Sequence, residues 1–217
     1  MFLTIENLLD EDILETINSL LEQTESWVDG KTTAGIAASQ VKVNEQLKEE
    51  STTYHFVSKI IRERLEQDYL FKAFALPQEV HSLLVSKTTE GGKYGEHVDN
   101  AFISGKRTDL SFTIFLNNPR DYEGGNLSSD IFDEVKLNAG DMIVYPSSTL
   151  HEVTEVTSGT RLVCCGWVTS KVKDPSQRGL LFDLHGAKMS LLAKQGKTEE
   201  FDLVCKAHNN LLRMWSS

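Results

Sequence analysis

The residues best able to do chemistry in this chain begin with Tyr94-Gly95-Glu96-His97-Val98-Asp99-Asn100. His97 and Asp99 stand two positions apart. In a β-strand such residues share a face, so an imidazole and a carboxylate look into the same space. His151 follows an apolar run that ends at Tyr145-Pro146, and Arg161 opens another apolar run ten residues later. Two imidazoles and one carboxylate on one face of an octahedral metal leave three positions open, the arrangement of non-haem Fe(II) oxygenases. Zinc accepts the same donors, so ligand type alone does not select the metal. The absence of a glutamate placed as in H-E-x-x-H weighs against a zinc hydrolase.

Each of these residues also has a plainer explanation. His97 and Asp99 on their own are a common surface-strand pair, and an arginine at a strand end often snorkels to water. The run Arg161-Leu162-Val163-Cys164-Cys165-Gly166-Trp167 puts Arg161, Val163, Cys165 and Trp167 on one face. If that face is interior, Arg161 needs an anionic partner, which a bound organic acid would supply through charge-assisted hydrogen bonds. Trp167 would then wall the same space. Cys164 and Cys165 point to opposite faces and read as small buried apolar residues. Tyr94 stands three residues before His97, on the opposite face of a regular strand, and is a candidate for the substrate mouth together with Asn100. His208 lies on an apolar helical stripe and reads as a core histidine; His55, His81 and His185 have no partner pattern.

These residues need a frame that holds them. The 217 residues suffice to bury a full core without a structural metal or disulfides. A net charge of −10 argues against a nucleic-acid or anionic-membrane partner. No apolar run reaches membrane-spanning length, and the acidic start MFLTIENLLDEDIL lacks the basic region of a signal peptide. Three cysteines, two of them adjacent, are not a disulfide framework and point to a reducing cytoplasm.

Taken in order, residues 2–5 read as a strand, and Asp10 as the cap of a helix over 11–23 with Ile13, Leu14, Ile17, Leu20 and Leu21 at helical spacing. Trp27-Val28-Asp29-Gly30 reads as a turn, and Lys31–Gln46 carries no assignable pattern. A helix over 51–68 places Phe56, Val57, Ile60, Ile61 and Leu65 on one face. From 78 onward, short β-rich runs at 79–87, 96–99, 108–116, 125–129, 134–137, 141–145, 150–154 and 160–169 are separated by Gly-, Asn- and Pro-containing turns. This pattern predicts an antiparallel sandwich or jelly roll whose mouth can gather ligands distant in sequence. Asp174-Pro175-Ser176-Gln177 is a helix start, and Thr198 caps a last helix with Phe201, Val204, Cys205, His208, Leu211, Leu212 and Trp215 in a stripe. The expected fold is α+β: a support region over 1–77, a jelly-roll core over 78–173 and a helical extension over 174–217, together one structural domain. The last stripe suits either a cover for the sheet or a homodimer contact.

At this point the sequence resembles a known family. The stretch from Tyr94 to Asn100, Arg107-Thr108-Asp109-Leu110-Ser111, Phe115-Leu116-Asn117, Tyr122-Glu123-Gly124-Gly125, Ala139-Gly140-Asp141, Tyr145-Pro146-Ser147-Ser148 and Leu150-His151-Glu152-Val153 are similar to the bacterial PKHD-type hydroxylases. These belong to the Fe(II)/2-oxoglutarate-dependent, prolyl 4-hydroxylase-like dioxygenases. The resemblance runs nearly end to end, with echoes at Trp27–Gly30, Thr33-Ala34-Gly35, Leu180–Leu184 and His208–Leu212. It implies a double-stranded β-helix, His97, Asp99 and His151 as iron ligands, and Arg161 as partner of the distal carboxylate of 2-oxoglutarate. It implies O₂ as co-reactant, ascorbate (vitamin C) as reductant, and succinate and CO₂ as products beside a hydroxylated C–H bond. Such proteins often carry a tyrosine where Thr88 stands, so Lys87 or Thr88 is left as the substitute contact to 2-oxoglutarate; Phe115 likewise lacks a hydroxyl found in some relatives. The substrate is open between a prolyl or other peptidyl side chain and a small metabolite. Two rival readings make different predictions: a non-enzymatic jelly-roll module would bind a metal or small acid without forming succinate, and a zinc hydrolase would work without O₂.

Overall fold

Among the described residues, runs of alternating side chains build two main antiparallel sheets and a separate two-stranded ribbon, and helices cover one face of the larger sheet. A computed structural model of the chain describes residues 1–33, 35 and 38–216; Ala34, in the Thr33-Ala34-Gly35 echo, lies outside the described residues, as do Ile36 and Ala37 within the unassigned segment. The first part runs β1 (Leu3–Ile5), α1 (Glu11–Glu22), β2 (Trp27–Asp29), 3-10 turns at Gly30–Thr33 and Ala38–Gln40, β3 (Lys42–Val43) and β4 (Glu45–Leu47). Helices α2 (Thr52–Gln67) and α3 (Tyr69–Ala75) follow. Then come β5 (Pro77–Thr89), β6 (Lys93–His97), β7 (Phe102–Ile103), β8 (Lys106–Arg107), β9 (Leu110–Phe115) and β10 (Tyr122–Gly124). The chain continues through β11 (Leu127–Ser129), β12 (Met142–Pro146), β13 (His151–Val153) and β14 (Val156–Ser170) to α4 (Pro175–Gln195) and α5 (Glu199–Trp215).

The larger sheet has the order β1-β12-β9-β14-β5-β4-β2, with β10 also on β14; the smaller has the order β11-β13-β6-β3. On β9, all six residues are buried because both faces are covered. Leu110, Phe112 and Ile114 join the main core with Leu14, Ile17 and Leu21 of α1, Val57, Ile61 and Leu65 of α2, and Phe71 and Phe74 of α3. Each such large apolar side chain, fully buried, contributes roughly 1.5–3 kcal/mol. The alternate residues Ser111 and Thr113 face a cavity instead, as do Arg161, Val163, Cys165 and Trp167 of β14. The sheet therefore has an apolar outer face for the helices and a polar inner face for chemistry.

Caps explain the helix starts. Asp10 accepts from the Ile13 amide, Ser51 from Tyr54, Asp174 from Ser176 and Gln177, and Thr198 from Phe201. Asp68 ends α2 and also caps α3, accepting from the Phe71 amide at 2.6 Å. Helix α2 occupies the span expected for a helix over 51–68, and the short α3 after it was not expected. Phe56 is 55% exposed, because the buried stripe of α2 is Val57, Ile61 and Leu65. Trp27–Asp29 is a strand rather than a turn, paired with Glu45–Leu47. Of the strand expected at 134–137, a single bridge between Val135 and Leu127 is found.

Candidate active site

His97 closes β6, and Asp99 lies just past the strand end, so the pair do not share a strand face as their spacing suggested. Past the strand end the carboxylate still lies beside the ring, with His97 Nε2 3.9 Å from Asp99 Oδ1. His151 opens β13 directly opposite His97, and their rings lie 4.3 Å apart between centroids. One ligand atom from each of His97, Asp99 and His151 falls within 4.8 Å of the others, a set able to hold a metal ion.

Both histidines are held in the same tautomer. His97 Nδ1 is 2.8 Å from the Gly95 carbonyl and His151 Nδ1 is 2.9 Å from the Thr149 carbonyl. A carbonyl only accepts, so each Nδ1 carries its proton and each Nε2 keeps a free lone pair. Burial, and then the neighbouring His151, lower His97 to about 4, which favours the neutral ring a metal needs. Asp99 is oriented as firmly. Its Oδ2 accepts from Ser111 Oγ at 2.6 Å and from Trp167 Nε1 at 3.0 Å, while Oδ1 is the oxygen nearest His97. Ser111 Oγ lies 2.8 Å from Ser147 Oγ, behind the carboxylate.

The register explains Tyr94. His151 pairs with His97 and Val153 with Tyr94, so β6 spends three residues where β13 spends two. Such a bulge reverses the side-chain alternation. Tyr94 is thereby moved from the opposite face onto His97, ring on ring at 3.7 Å and 20°. Its phenol is pushed well above its ordinary range by burial. Tyr145 packs edge-on against His151 at 5.2 Å, and burial raises its phenol too.

These residues line one cavity of about 340 Å³ between the two sheets, with Asn100 and Trp167 also in its wall. Arg161 enters it from β14, 3% exposed, with its guanidinium 5.5 Å from the Phe115 ring centroid. Its Nε has no hydrogen-bond partner among the described residues. A buried, orphaned guanidinium donor fits a missing carboxylate, and the two-histidine, one-carboxylate donor set fits Fe(II). Lys87 is not in this cavity. It pairs with Glu45 at 2.7 Å and lies over the Trp27 ring, on the other side of β5, because strand alternation sends Thr88 inward and Lys87 outward. Thr88 is 3% exposed and lines the cavity.

Ser111 and Lys42 are among the cavity residues that escaped the sequence reading. Ser111 carried a signal, as a polar residue alternating with the apolar Leu110, Phe112 and Ile114 on β9. Lys42 carried none, in a segment without periodicity. It is 3% exposed, donates to Thr33 Oγ1 at 3.2 Å and lies 5.0 Å from the Tyr94 ring centroid. Burial pushes it down to about 8, against the pull of Cys165, Asp99 and Asp29. All three cysteines are free; burial raises the Cys164 and Cys165 thiols, so neither is a ready thiolate.

Residues 83–169, the stretch holding all four singled-out residues, match the 2OG-Fe(II) oxygenase superfamily. A PKHD-type hydroxylase of Acaryochloris marina is 50% identical over the whole of both chains. The chain belongs to the PKHD-type hydroxylases. Another of them, from Picosynechococcus, is 46% identical, again over all of both chains. PKHD-type hydroxylases are oxidoreductases that use Fe(II), 2-oxoglutarate and O₂, which places the oxygenase reading above the binding-module and hydrolase readings. Among solved structures, a Pseudomonas putida prolyl-4-hydroxylase superposes with a TM-score of 0.54 at 18% identity, covering 78% of this chain and 92% of its own. The carbocyclase SnoK of nogalamycin biosynthesis superposes with a TM-score of 0.58 at 14% identity, covering 80% and 82%. Both likenesses show the fold, which is the expected α+β double-stranded β-helix. No helix among the described residues is long and apolar enough to cross a membrane.

Proposed function

We propose that His97, Asp99 and His151 hold the Fe(II) of this PKHD-type hydroxylase and that Arg161 binds the distal carboxylate of 2-oxoglutarate. The observation that carries the reading is one cavity holding two kinds of unfilled demand. One ring nitrogen of each histidine and a carboxylate oxygen converge within 4.8 Å, and a buried guanidinium there has an Nε with no partner among the described residues. When bound, the iron and 2-oxoglutarate supply the oxidation: O₂ is consumed, one oxygen atom entering a substrate C–H bond and the other the succinate formed with CO₂.

The chain's own residues position and insulate. The Gly95 and Thr149 carbonyls fix both imidazoles, and Ser111 and Trp167 fix Asp99. Such outer partners orient ligands and raise their affinity for metal. Phe115, Leu127, Val153 and Val163 supply apolar wall that keeps bulk water from the Arg161 end. No side chain is needed as general acid or base. The substrate is a small molecule or a peptidyl side chain. Three free thiols support a reducing, cytoplasmic setting.

The test is anaerobic addition of Fe(II) with and without 2-oxoglutarate, following the weak visible charge-transfer band of the chelate. A band requiring both is expected. His151→Ala is expected to lose it, and Arg161→Ala to need far more 2-oxoglutarate to reach it. Normal saturation in Arg161→Ala would remove Arg161 from its role, and no band in folded wild-type protein would overturn the metal assignment.

A further inference from the structure

Lys42 has no place in the chemistry above. It is buried within the cavity wall, on the small strand β3 that pairs with β6 beside Tyr94. Its ammonium reaches one hydrogen-bond partner among the described residues, the neutral hydroxyl of Thr33, and it forms no ion pair there. Thr33 is in turn committed, donating to the Gln46 side chain in a short hydrogen bond. A lysine buried with no ion pair in contact, drawn on only at longer range by Cys165, Asp99 and Asp29, is costly and is retained where something anionic completes it.

Charge counting says what is missing. The charged residues lining the cavity are Lys42, Asp99 and Arg161. A divalent iron, the Asp99 carboxylate, the Arg161 guanidinium and dianionic 2-oxoglutarate together sum to zero, with the ligand imidazoles neutral. Lys42 leaves one positive charge over. Arg161 and Lys42 enter from different sheets, β14 in the larger and β3 in the smaller, so the surplus charge belongs to a different wall from the guanidinium. A neutral primary substrate would leave that charge buried; a monoanion would cancel it.

We propose that Lys42 is an anion subsite for the primary substrate, and that this substrate is a small organic acid presenting a free carboxylate rather than a residue inside a peptide chain. The inference rests on the Fe(II) and 2-oxoglutarate reading and adds the substrate class to it. The size of the cavity agrees: about 340 Å³ is at the small end for a ligand pocket and must also admit the cosubstrate. Beside it the rim offers Val98 and Phe102, 48% and 63% exposed, as apolar surface for the rest of such an acid.

The experiment uses the anaerobic Fe(II)- and 2-oxoglutarate-loaded protein, with its chelate band monitored throughout. Acetate, propionate and butyrate are titrated by calorimetry against acetamide, propionamide and butyramide. Carboxylates are expected to bind with the band retained, and the amides about tenfold or more weaker, as loss of one charge-assisted hydrogen bond implies. Lys42→Met and Lys42→Gln are expected to erase that preference, and Lys42→Arg to keep most of it. A chelate band in each variant certifies both its fold and the underlying iron reading, so failure of that reading shows separately as absence of the band. Three results overturn the proposal: no carboxylate preference in wild-type protein; a preference that survives in Lys42→Met; or displacement of 2-oxoglutarate by the acids, which would put them at Arg161. Weakened 2-oxoglutarate binding in Lys42→Met equal to that in Arg161→Ala would also overturn it, making Lys42 a second cosubstrate anchor.

Discussion

At the scale of single residues, the carboxylate is the most closely controlled group in the site. Asp99 lies beyond the end of β6, so backbone regularity does not aim it; Ser111 and Trp167 do, both on the same oxygen. Ser111→Ala removes one donor from Oδ2 with little change in bulk, and Trp167→Phe removes the other while keeping an aromatic ring of smaller size. Each is expected to weaken Fe(II) affinity about 10- to 100-fold, as loss of an outer partner does elsewhere, measured by competition with a chromophoric chelator. Unchanged affinity in both would mean that strand-end geometry alone sets the carboxylate. That the two histidines, Asp99 and Arg161 gather in one cavity was legible in the sequence, because metal and carboxylate chemistry demand those residue types. Trp167 was legible as a wall through alternation with Arg161, but its bond to Asp99 was not, since that contact spans 68 positions of sequence. Lys87 shows the limit of reading adjacency as function. Beside Thr88 in sequence, it stands on the other face of β5 against Glu45 and Trp27.

At the scale of elements, turns and bulges decide which residues meet. The bulge in β6 puts Tyr94 on His97, and no alternation rule applied to the sequence reveals it, because a bulge is visible only against its partner strand. Helix caps were legible at Asp10, Asp174 and Thr198 because a cap is a local residue pattern. The strands β3 and β4 were not, being two and three residues long and without periodicity. Gly140 gives this scale its prediction. Its φ is +89°, a Cβ there would stand 2.2 Å from the Leu9 carbonyl, and its own carbonyl accepts from the Leu9 amide. It therefore fixes the approach of β1 and α1 to β12. Gly140→Ala is expected to cost at least about 2 kcal/mol, from the strained φ and the displaced contact, read as a fall in the urea midpoint. A midpoint within error of wild type would show that the Leu9 segment moves aside freely.

At the scale of the whole molecule, the question is whether the helical ends are appendages or part of one cooperative unit. Helix α4 is tied to the core by Leu181, fully buried, by Phe182 edge-on to Phe74 of α3 at 5.3 Å, and by Arg178, which donates to the Val172 and Lys173 carbonyls at 2.8 and 2.9 Å. Helix α5 closes on α4 through its half-buried stripe, and its end bridges back from Ser216 to Val172. These ties predict a single urea transition, with Trp215 fluorescence on α5, read in a Trp27→Phe and Trp167→Phe background, and the far-ultraviolet signal of the whole chain coinciding. An earlier Trp215 transition would mark residues 174–217 as a separately melting unit. The same unit fixes the pH dependence. Burial lowers His81 in the core, and His185 and His208 between the last helices, below their ordinary 6.5. The folded protein keeps these rings neutral while the unfolded chain takes up protons first as pH falls. The stability they secure is therefore complete above pH 6.5 and is lost as pH drops through their lowered folded values. In one cooperative unit, acidification from pH 7.5 to 5 lowers both signals' midpoints together, and replacing His185 and His208 with Gln flattens that slope for both. If the replacement flattened only the Trp215 signal, the helices and the sheet would be unfolding independently, and the cavity would stand without them.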